Sequence, residues 1–130
     1  MRYFLDSSVI IYILRRNRVV VNYLNDLDVG FDSSYVCLAE IYEGVINSNS
    51  PKSNLEAVNK IFKSFGKVYG LDQKIAWSFG ELRAKLRNEG NLIEDIDLLI
   101  AATCFAYNLT LFTQNPKHFT RIRDLEIITV

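Results

Sequence analysis

Arg2-Tyr3-Phe4-Leu5-Asp6-Ser7-Ser8-Val9-Ile10-Ile11-Tyr12-Ile13-Leu14-Arg15 opens the chain with a short strand-like run, a polar turn and an apolar helical segment. Residues 2–5 read as a strand, residues 9–15 read as a helix, and Ser7 or Ser8 can cap that helix. A strand that runs through a polar turn into a helix is the opening of a βα unit. The rest of the chain repeats the alternation. A short helix over residues 19–25 leads to a strand at 29–32, and Ser33 or Ser34 caps a helix reaching about residue 46. After the polar turn 47–50, Pro51 suits a first helical position, apolar residues recur at helical spacing over 54–65, and Gly66 closes the segment. Residues 68–71 read as a third strand, Asp72 caps a helix through about residue 88, and Gly90 is placed as its left-handed terminator. Asp95 opens a helix to about residue 107, followed by a strand at 110–113, a helical turn at 116–119 and a last apolar strand at 125–130.

Strands alternating with helices predict an α/β architecture, a mostly parallel sheet of four to five strands flanked by helices. With 130 residues and no internal repeat, low-complexity tract or linker, residues 1–130 are expected to form a single domain. A composition of 49% hydrophobic and 23% charged residues excludes the disordered and membrane-spanning classes. The apolar run at 9–14 is shorter than a signal h-region and comes after an acid rather than a basic segment, so no export signal is expected. Cys37 and Cys104 lie far apart inside apolar helical patterns without metal-like spacing. They are expected to be small buried side chains of a cytoplasmic protein, not a disulfide or a zinc site.

Fifteen basic residues balance fifteen acidic ones, so the molecule as a whole exerts no strong pull on a phosphate polymer. Nucleic-acid contact would need local patches: Arg15, Arg16 and Arg18; Arg83, Lys85 and Arg87; or Lys117, Arg121 and Arg123. Clustered Lys and Arg are ordinarily a solvated face.

In open parallel sheets the ligand crevice lies at the carboxyl ends of the strands. Asp6 comes directly after the first strand, although capping the next helix accounts for its place equally well. Stepping about 100° per residue along its helix puts Ile100, Ala101, Cys104 and Phe105 within about 80° of Asp97. An ionised carboxylate heading such a core-facing stripe is costly unless a cation or hydrogen-bond donors meet it. Capping or dipole compensation explains Asp95 better than Asp97. For Glu40, the wheel puts Leu38, Ile41, Tyr42 and Val45 on one side and Glu40, Glu43 and Asn47 on the other. Periodicity alone favours a solvated face there, yet the polar stripe is narrow and includes Val36 and Gly44. Three acids converging at a strand-end crevice would make a hard oxygen site for Mg2+ or Mn2+. Such a site hydrolyses phosphodiesters without a protein nucleophile. The single histidine, His118, has no suitably placed serine for a triad.

These residues resemble the VapC-type toxins of the PIN-domain superfamily along nearly the whole chain. Phe4-Leu5-Asp6-Ser7-Ser8-Val9-Ile10 is similar to the family's first strand and acid, and Leu38-Ala39-Glu40-Ile41-Tyr42-Glu43-Gly44 to its second acidic motif. Asp97-Leu98-Leu99-Ile100-Ala101-Ala102-Thr103 resembles the acid at a helix start, and Thr110-Leu111-Phe112-Thr113-Gln114-Asn115 the strand and turn that close the site. The resemblance implies a PIN-like three-layer fold and a magnesium-dependent endoribonuclease that acts on RNA, dimerises and is held inactive by a cognate antitoxin. It implies Asp6, Glu40 and Asp97 as the catalytic, metal-holding acids, turning Glu40 toward the crevice, with Glu43 an outer or surface acid. The departure is Asn115, at a position where many PIN domains carry Asp and many toxin members carry Asn. An amide can bond a metal-bound water but adds no charge, so one metal should bind firmly and a second only conditionally. Ser7 and Thr113 could orient waters or the acids, although small hydroxyl residues at strand ends are commonly turn formers. Exposed apolar residues around Tyr12, Val20 and Phe62 are candidate dimer contacts.

Rival readings fit less well. An aspartyl-nucleophile phosphatase needs a second acid two residues after the first, where this chain has Ser8. A receiver-like phosphoacceptor domain needs an acidic pair, and here the residue after Asp6 is Ser7. The remaining alternative is a PIN fold kept as a catalytically weak or inactive protein-binding module, which Asn115 favours and the retained three acids oppose.

Overall fold

The computed structural model describes residues 2–27 and 29–130. In chain order it contains β1 (Arg2–Leu5), α1 (Ser7–Leu14), α2 (Arg18–Asp26), β2 (Gly30–Ser34), α3 (Tyr35–Ile46) and α4 (Pro51–Ser64). Next come β3 (Val68–Tyr69), α5 (Gln73–Asn88), α6 (Asp95–Tyr107), β4 (Thr110–Phe112), a 3-10 turn (Pro116–Phe119) and β5 (Ile127–Ile128). Among the described residues the five strands form one sheet in the order β3-β2-β1-β4-β5, and every neighbouring pair is parallel. The expected α/β architecture is therefore present, with its strand count at the upper bound. The edge strands β3 and β5 are shorter than the sequence predicts, each having a ladder on one side only.

Successive strand residues point to opposite faces of a sheet, and β1 and β4 use that rule to build two cores. Phe4 and Leu111 face one way, with Leu86, Leu98 and Ala101. Leu5 and Phe112 face the other, with Val9, Ile41 and Val58. These four strand side chains are at most 1% exposed, and burial of each contributes roughly 1.5–3 kcal/mol. Helices thus cover both faces, as continuous apolar strands require.

Helix ends obey local chemistry. Ser34 accepts from the Cys37 amide at 3.3 Å and Asp72 from the Ile75 amide at 2.8 Å. Pro51 occupies the first turn of α4, and Gly90 adopts φ 71° just beyond α5. The cap of α1 is a correction: neither Ser7 nor Ser8 supplies it. Asp6, in extended backbone, accepts from the Val9 amide at 3.2 Å, and both serines already lie within the first turn. Another correction concerns the apolar surface. Val20 and Phe62 are 1% and 8% exposed because α2 and α4 turn them into the core containing Val9 and Val58. The exposed large apolar side chains include Tyr35, Ile46, Leu71 and Trp77. Among the described residues no helix is long and apolar enough to cross a membrane.

One buried charge had no signal in the sequence. Asp32, on β2, has no exposed surface. It accepts from Arg2 Nε at 2.9 Å, from Arg2 Nη2, from the Lys67 amide at 3.0 Å and from the Tyr69 hydroxyl at 3.3 Å. Burial, followed by the charge of Asp32, pushes the Tyr69 phenol up to about 12. Two glycines make room for the guanidinium. A Cβ at Gly30 would stand 2.1 Å from Arg2 Nη1, and one at Gly66 would stand 2.1 Å from Nη2 and 3.1 Å from Asp32 Oδ1. An arginine tip normally yields, but this one is pinned by two bonds to a buried carboxylate. Gly66→Ala is therefore expected to cost about 1–3 kcal/mol, read as a lower urea midpoint at unchanged slope.

Candidate active site

The pairing of β1 with β4 sets Leu5 opposite Phe112, which brings Asp6 beside the turn after β4. The Asp6 amide donates to the Phe112 carbonyl at 3.2 Å, and the residue is only 4% exposed. Its Oδ1 accepts from the Ser8 hydroxyl at 2.5 Å as well as from the Val9 amide. Ser8 Oγ in turn accepts from the Gln114 amide at 3.0 Å and lies 3.4 Å from Thr113 Oγ1. Thr113, fully buried, accepts from the Asn115 amide at 3.0 Å. A chain of short polar groups thus fastens the β4 turn to the carboxylate of Asp6. Asn115 joins this chain through its backbone, and the residue itself is exposed.

Glu40 reaches the same region from α3, and its Oε1 accepts from the Ser7 hydroxyl at 3.0 Å. Asp97 enters from the first turn of α6, where the amino-terminal helix field favours an acid. Its Oδ2 lies 3.4 Å from His118 Nδ1. Glu43 is exposed and acts on Glu40 only through its charge.

Burial raises the pKa of all three acids, and the charge of Asp6 reaches the other two. Burial is the largest influence on Asp6 and raises its pKa, against the lowering by Ser8, Thr113 and the backbone amides of Val9 and Ser8. Glu40 is exposed as a residue, yet crowding by protein raises its pKa most; Ser7 lowers it, and the charges of Asp97 and Asp6 raise it again. For Asp97 burial again raises the pKa, His118 lowers it, and Glu94 and Asp6 raise it. The fields of Asp97 and Asp6 both reach Glu40, and that of Asp6 reaches Asp97. Even so, among the described residues no three His, Cys, Asp or Glu side chains are grouped tightly enough to hold an ion between them. Each acid has its own neighbour instead: Asp6 accepts from Ser8, Glu40 accepts from Ser7, and Asp97 lies beside His118.

Two depressions flank the acids. A groove of about 310 Å³ borders Glu40 and is walled by Ile11, Leu14, Arg15, Ile41 and Val58. A cleft of about 510 Å³ borders Asp97. Cys37 and Cys104 are buried, free thiols, as the sequence predicts. Burial pushes Cys37 up to about 12 and Cys104 well above its ordinary value, with a smaller push on both from Asp6, so neither is a nucleophile.

Two contacts were not read from the sequence. Ser8 looked like a cap, and only the pairing of β1 with β4 shows that it joins Asp6 to the β4 turn. His118 has no serine partner for a triad in the sequence, and in the structure its neighbour is the carboxylate of Asp97 on α6.

Comparison with known proteins agrees with this fold. The family model of the PIN domain matches residues 3–125. Ribonuclease VapC2 of Rickettsia felis is 34% identical over 130 residues, covering 96% of this chain and 95% of that protein. Ribonuclease VapC2 of Haemophilus influenzae strain Rd is 30% identical over 123 residues, covering 94% and 92%. Among solved structures, that of VapBC2 from Rickettsia felis bound to a DNA fragment from their promoter superposes with a TM-score of 0.90 at 30% identity, covering 100% of this chain and 99% of that one. The chain therefore belongs to the PIN-domain family and, within it, to the VapC proteins.

Proposed function

We propose that this chain is a magnesium-dependent endoribonuclease, with manganese able to substitute, and that it acts as the cytoplasmic toxin of a toxin–antitoxin pair. The observation that carries the reading is the placement of three acids at the carboxyl edge of a parallel sheet: Asp6 follows β1, Glu40 is bonded to the adjacent Ser7, and the charge of Asp6 reaches both Glu40 and Asp97. All three are hard oxygen donors; burial raises the pKa of each, and the charge of Asp6 raises those of Glu40 and Asp97 further. The chemistry of that donor set suits a divalent cation, which would offset the charge that Asp6 brings to Glu40 and Asp97, and binding one would draw the three acids closer than they stand here.

A cation bound there supplies an activated water and a charge that stabilises phosphoryl oxygens during in-line hydrolysis. The chain's own part is to aim the acids. Ser8 and Thr113 fix Asp6 against the β4 turn, and Ser7 fixes Glu40. Asn115 brings no charge to the fourth position, so one cation is held firmly and a second only with substrate. The relatives named VapBC support a cognate antitoxin as partner, and a homodimer is part of the same family reading.

The test is cleavage of RNA by the purified chain with magnesium or manganese, against a chelator control. Products should carry a 5′ phosphate and a 3′ hydroxyl, and Asp97→Asn should lose about a hundredfold or more in rate while remaining folded. Products ending in a 2′,3′-cyclic phosphate would exclude hydrolysis by a metal-activated water. Absence of any RNA cleavage, with Asp97→Asn indistinguishable from the native chain when expressed in cells, would leave a PIN fold that serves as a binding module.

A further inference from the structure

The cleft beside Asp97 has two walls from distant parts of the chain. Residues 92–94, before α6, form one; the 3-10 turn and the residues after it form the other. Arg121 ties them together, since its Nη1 donates to the Leu92 carbonyl at 2.9 Å. Leu92 and Ile93 give the cleft an apolar wall, Lys117 and Arg121 bring two cations, and Asp97 with Glu94 makes one acidic end. Its size lies within the range of sites that enclose a small organic group. His118 stands at the acidic end with its Nδ1 toward Asp97 and 55% of its side chain open to solvent.

The chain carries no net charge, so RNA must be met by a local patch. The structure separates the three basic clusters. Arg83 is engaged by Asp95 at 3.5 Å and by the Phe79 ring. Arg15 shares a groove with Glu40 whose other walls are largely aliphatic and hold no second cation. Among the described residues, Lys117 and Arg121 combine paired cations, an apolar wall and an exposed ring in one cleft with one of the three acids.

We propose that this cleft is the subsite for the nucleotide next to the scissile phosphate of the RNA: Lys117 and Arg121 meet its phosphate, and its base lies against Leu92, Ile93 and the His118 ring. The proposal rests on the proposed ribonuclease activity. Cations that track the backbone and flat or apolar surfaces that receive bases are the two needs of single-strand binding, and one acidic end places the bond to be cut.

The test measures binding of a fluorescein-labelled single-stranded RNA octamer by fluorescence anisotropy in chelator, where no cleavage occurs, together with KM and kcat in magnesium. Lys117→Glu is expected to weaken binding at least about tenfold, to flatten the salt dependence and to raise KM more than it lowers kcat. His118→Ala is expected to weaken binding about fivefold or more through lost stacking. Neither variant breaks the Arg121–Leu92 bond, and thermal melts confirm that each is folded. Arg87→Glu, with the same change of charge on α5, is expected to stay within about twofold of the native chain. If the native chain binds and cleaves RNA while Lys117→Glu and His118→Ala match Arg87→Glu, the subsite assignment fails and the ribonuclease reading stands. If the native chain neither binds nor cleaves RNA, both fail.

Discussion

The Asp6→Asn chain is expected to cleave RNA at least about a hundredfold more slowly than the native chain while folding as well or better. Asparagine is as good a helix cap as aspartate, so the bonds from the Val9 amide and the Ser8 hydroxyl can persist. The substitution removes a charge from a site that is 4% exposed. The sign of the stability change is set by the direction of the pKa shift. Burial raises the Asp6 pKa in the folded chain. An acid shifted upward favours the fold fully below its unfolded pKa and loses that contribution as pH rises through the folded value. At neutral pH and without divalent cations, the buried Asp6 carboxyl is therefore a burden that asparagine lacks. In chelator the variant should melt higher than the native chain at pH 7, and the gap should close as pH falls toward 4. Magnesium should reverse the order. A ligand at a hundred times its Kd stabilises the native chain by about 2.7 kcal/mol, and the variant, short of one donor, should gain much less. Thermal melts with and without magnesium, beside an RNA cleavage assay, read all three effects. Equal cleavage by the two chains, or a native melting point indifferent to magnesium, would make Asp6 only a cap.

What the sequence disclosed and what it withheld divide along the range of the interactions. Asp6 was visible because its cause is local: a strand ends, a helix begins, and the acid between them must stand at the sheet's carboxyl edge. Asp97 was visible because a carboxylate heading an apolar stripe contradicts the periodicity of its own helix. Glu40 was not, since its helix alone reads as amphipathic with the acid outward. Its site-facing character comes from Ser7, 33 positions away. Ser8 shows the same limit: its neighbour Asp6 is local, but its bond to the Gln114 amide spans 106 positions and exists only because β1 lies beside β4. The apolar faces of α2 and α4 were misassigned for a related reason. A helical stripe shows that something will be covered, not whether the cover is this chain's own core, as it is for Val20 and Phe62. The family resemblance names Glu40 where periodicity reads a solvated face, and the residue is exposed; it gives no hint of Asp32, whose partner Arg2 stands on the neighbouring strand.

That pair makes a single polar substitution in the frame of the sheet costly. Arg2→Ala should cost about 2–3 kcal/mol, and Asp32→Ala a similar amount for a different reason. Without Arg2 the carboxylate of Asp32, which has no exposed surface, keeps only the Lys67 amide and the Tyr69 hydroxyl as donors. A broken buried pair ordinarily costs more, but the Arg2 side chain is 45% exposed, so water can enter and screen what remains. Without Asp32 the arginine can turn to solvent, but two buried donors lose their acceptor. Either change should lower the melting temperature by on the order of 10 °C. Arg2→Met with Asp32→Leu removes both charges and restores apolar volume, so the double variant should lose less than the sum of the single ones. The pair sits on β1 and β2 before the strands reach the acids, and neither residue bonds to Asp6, Glu40 or Asp97. RNA cleavage per folded molecule should therefore be unchanged when Arg2→Ala is assayed well below its melting temperature. Asp6→Asn removes activity and keeps the fold, whereas Arg2→Ala weakens the fold and keeps activity. If Arg2→Ala lost activity while still fully folded, the pair would belong to the site rather than to the frame that positions it.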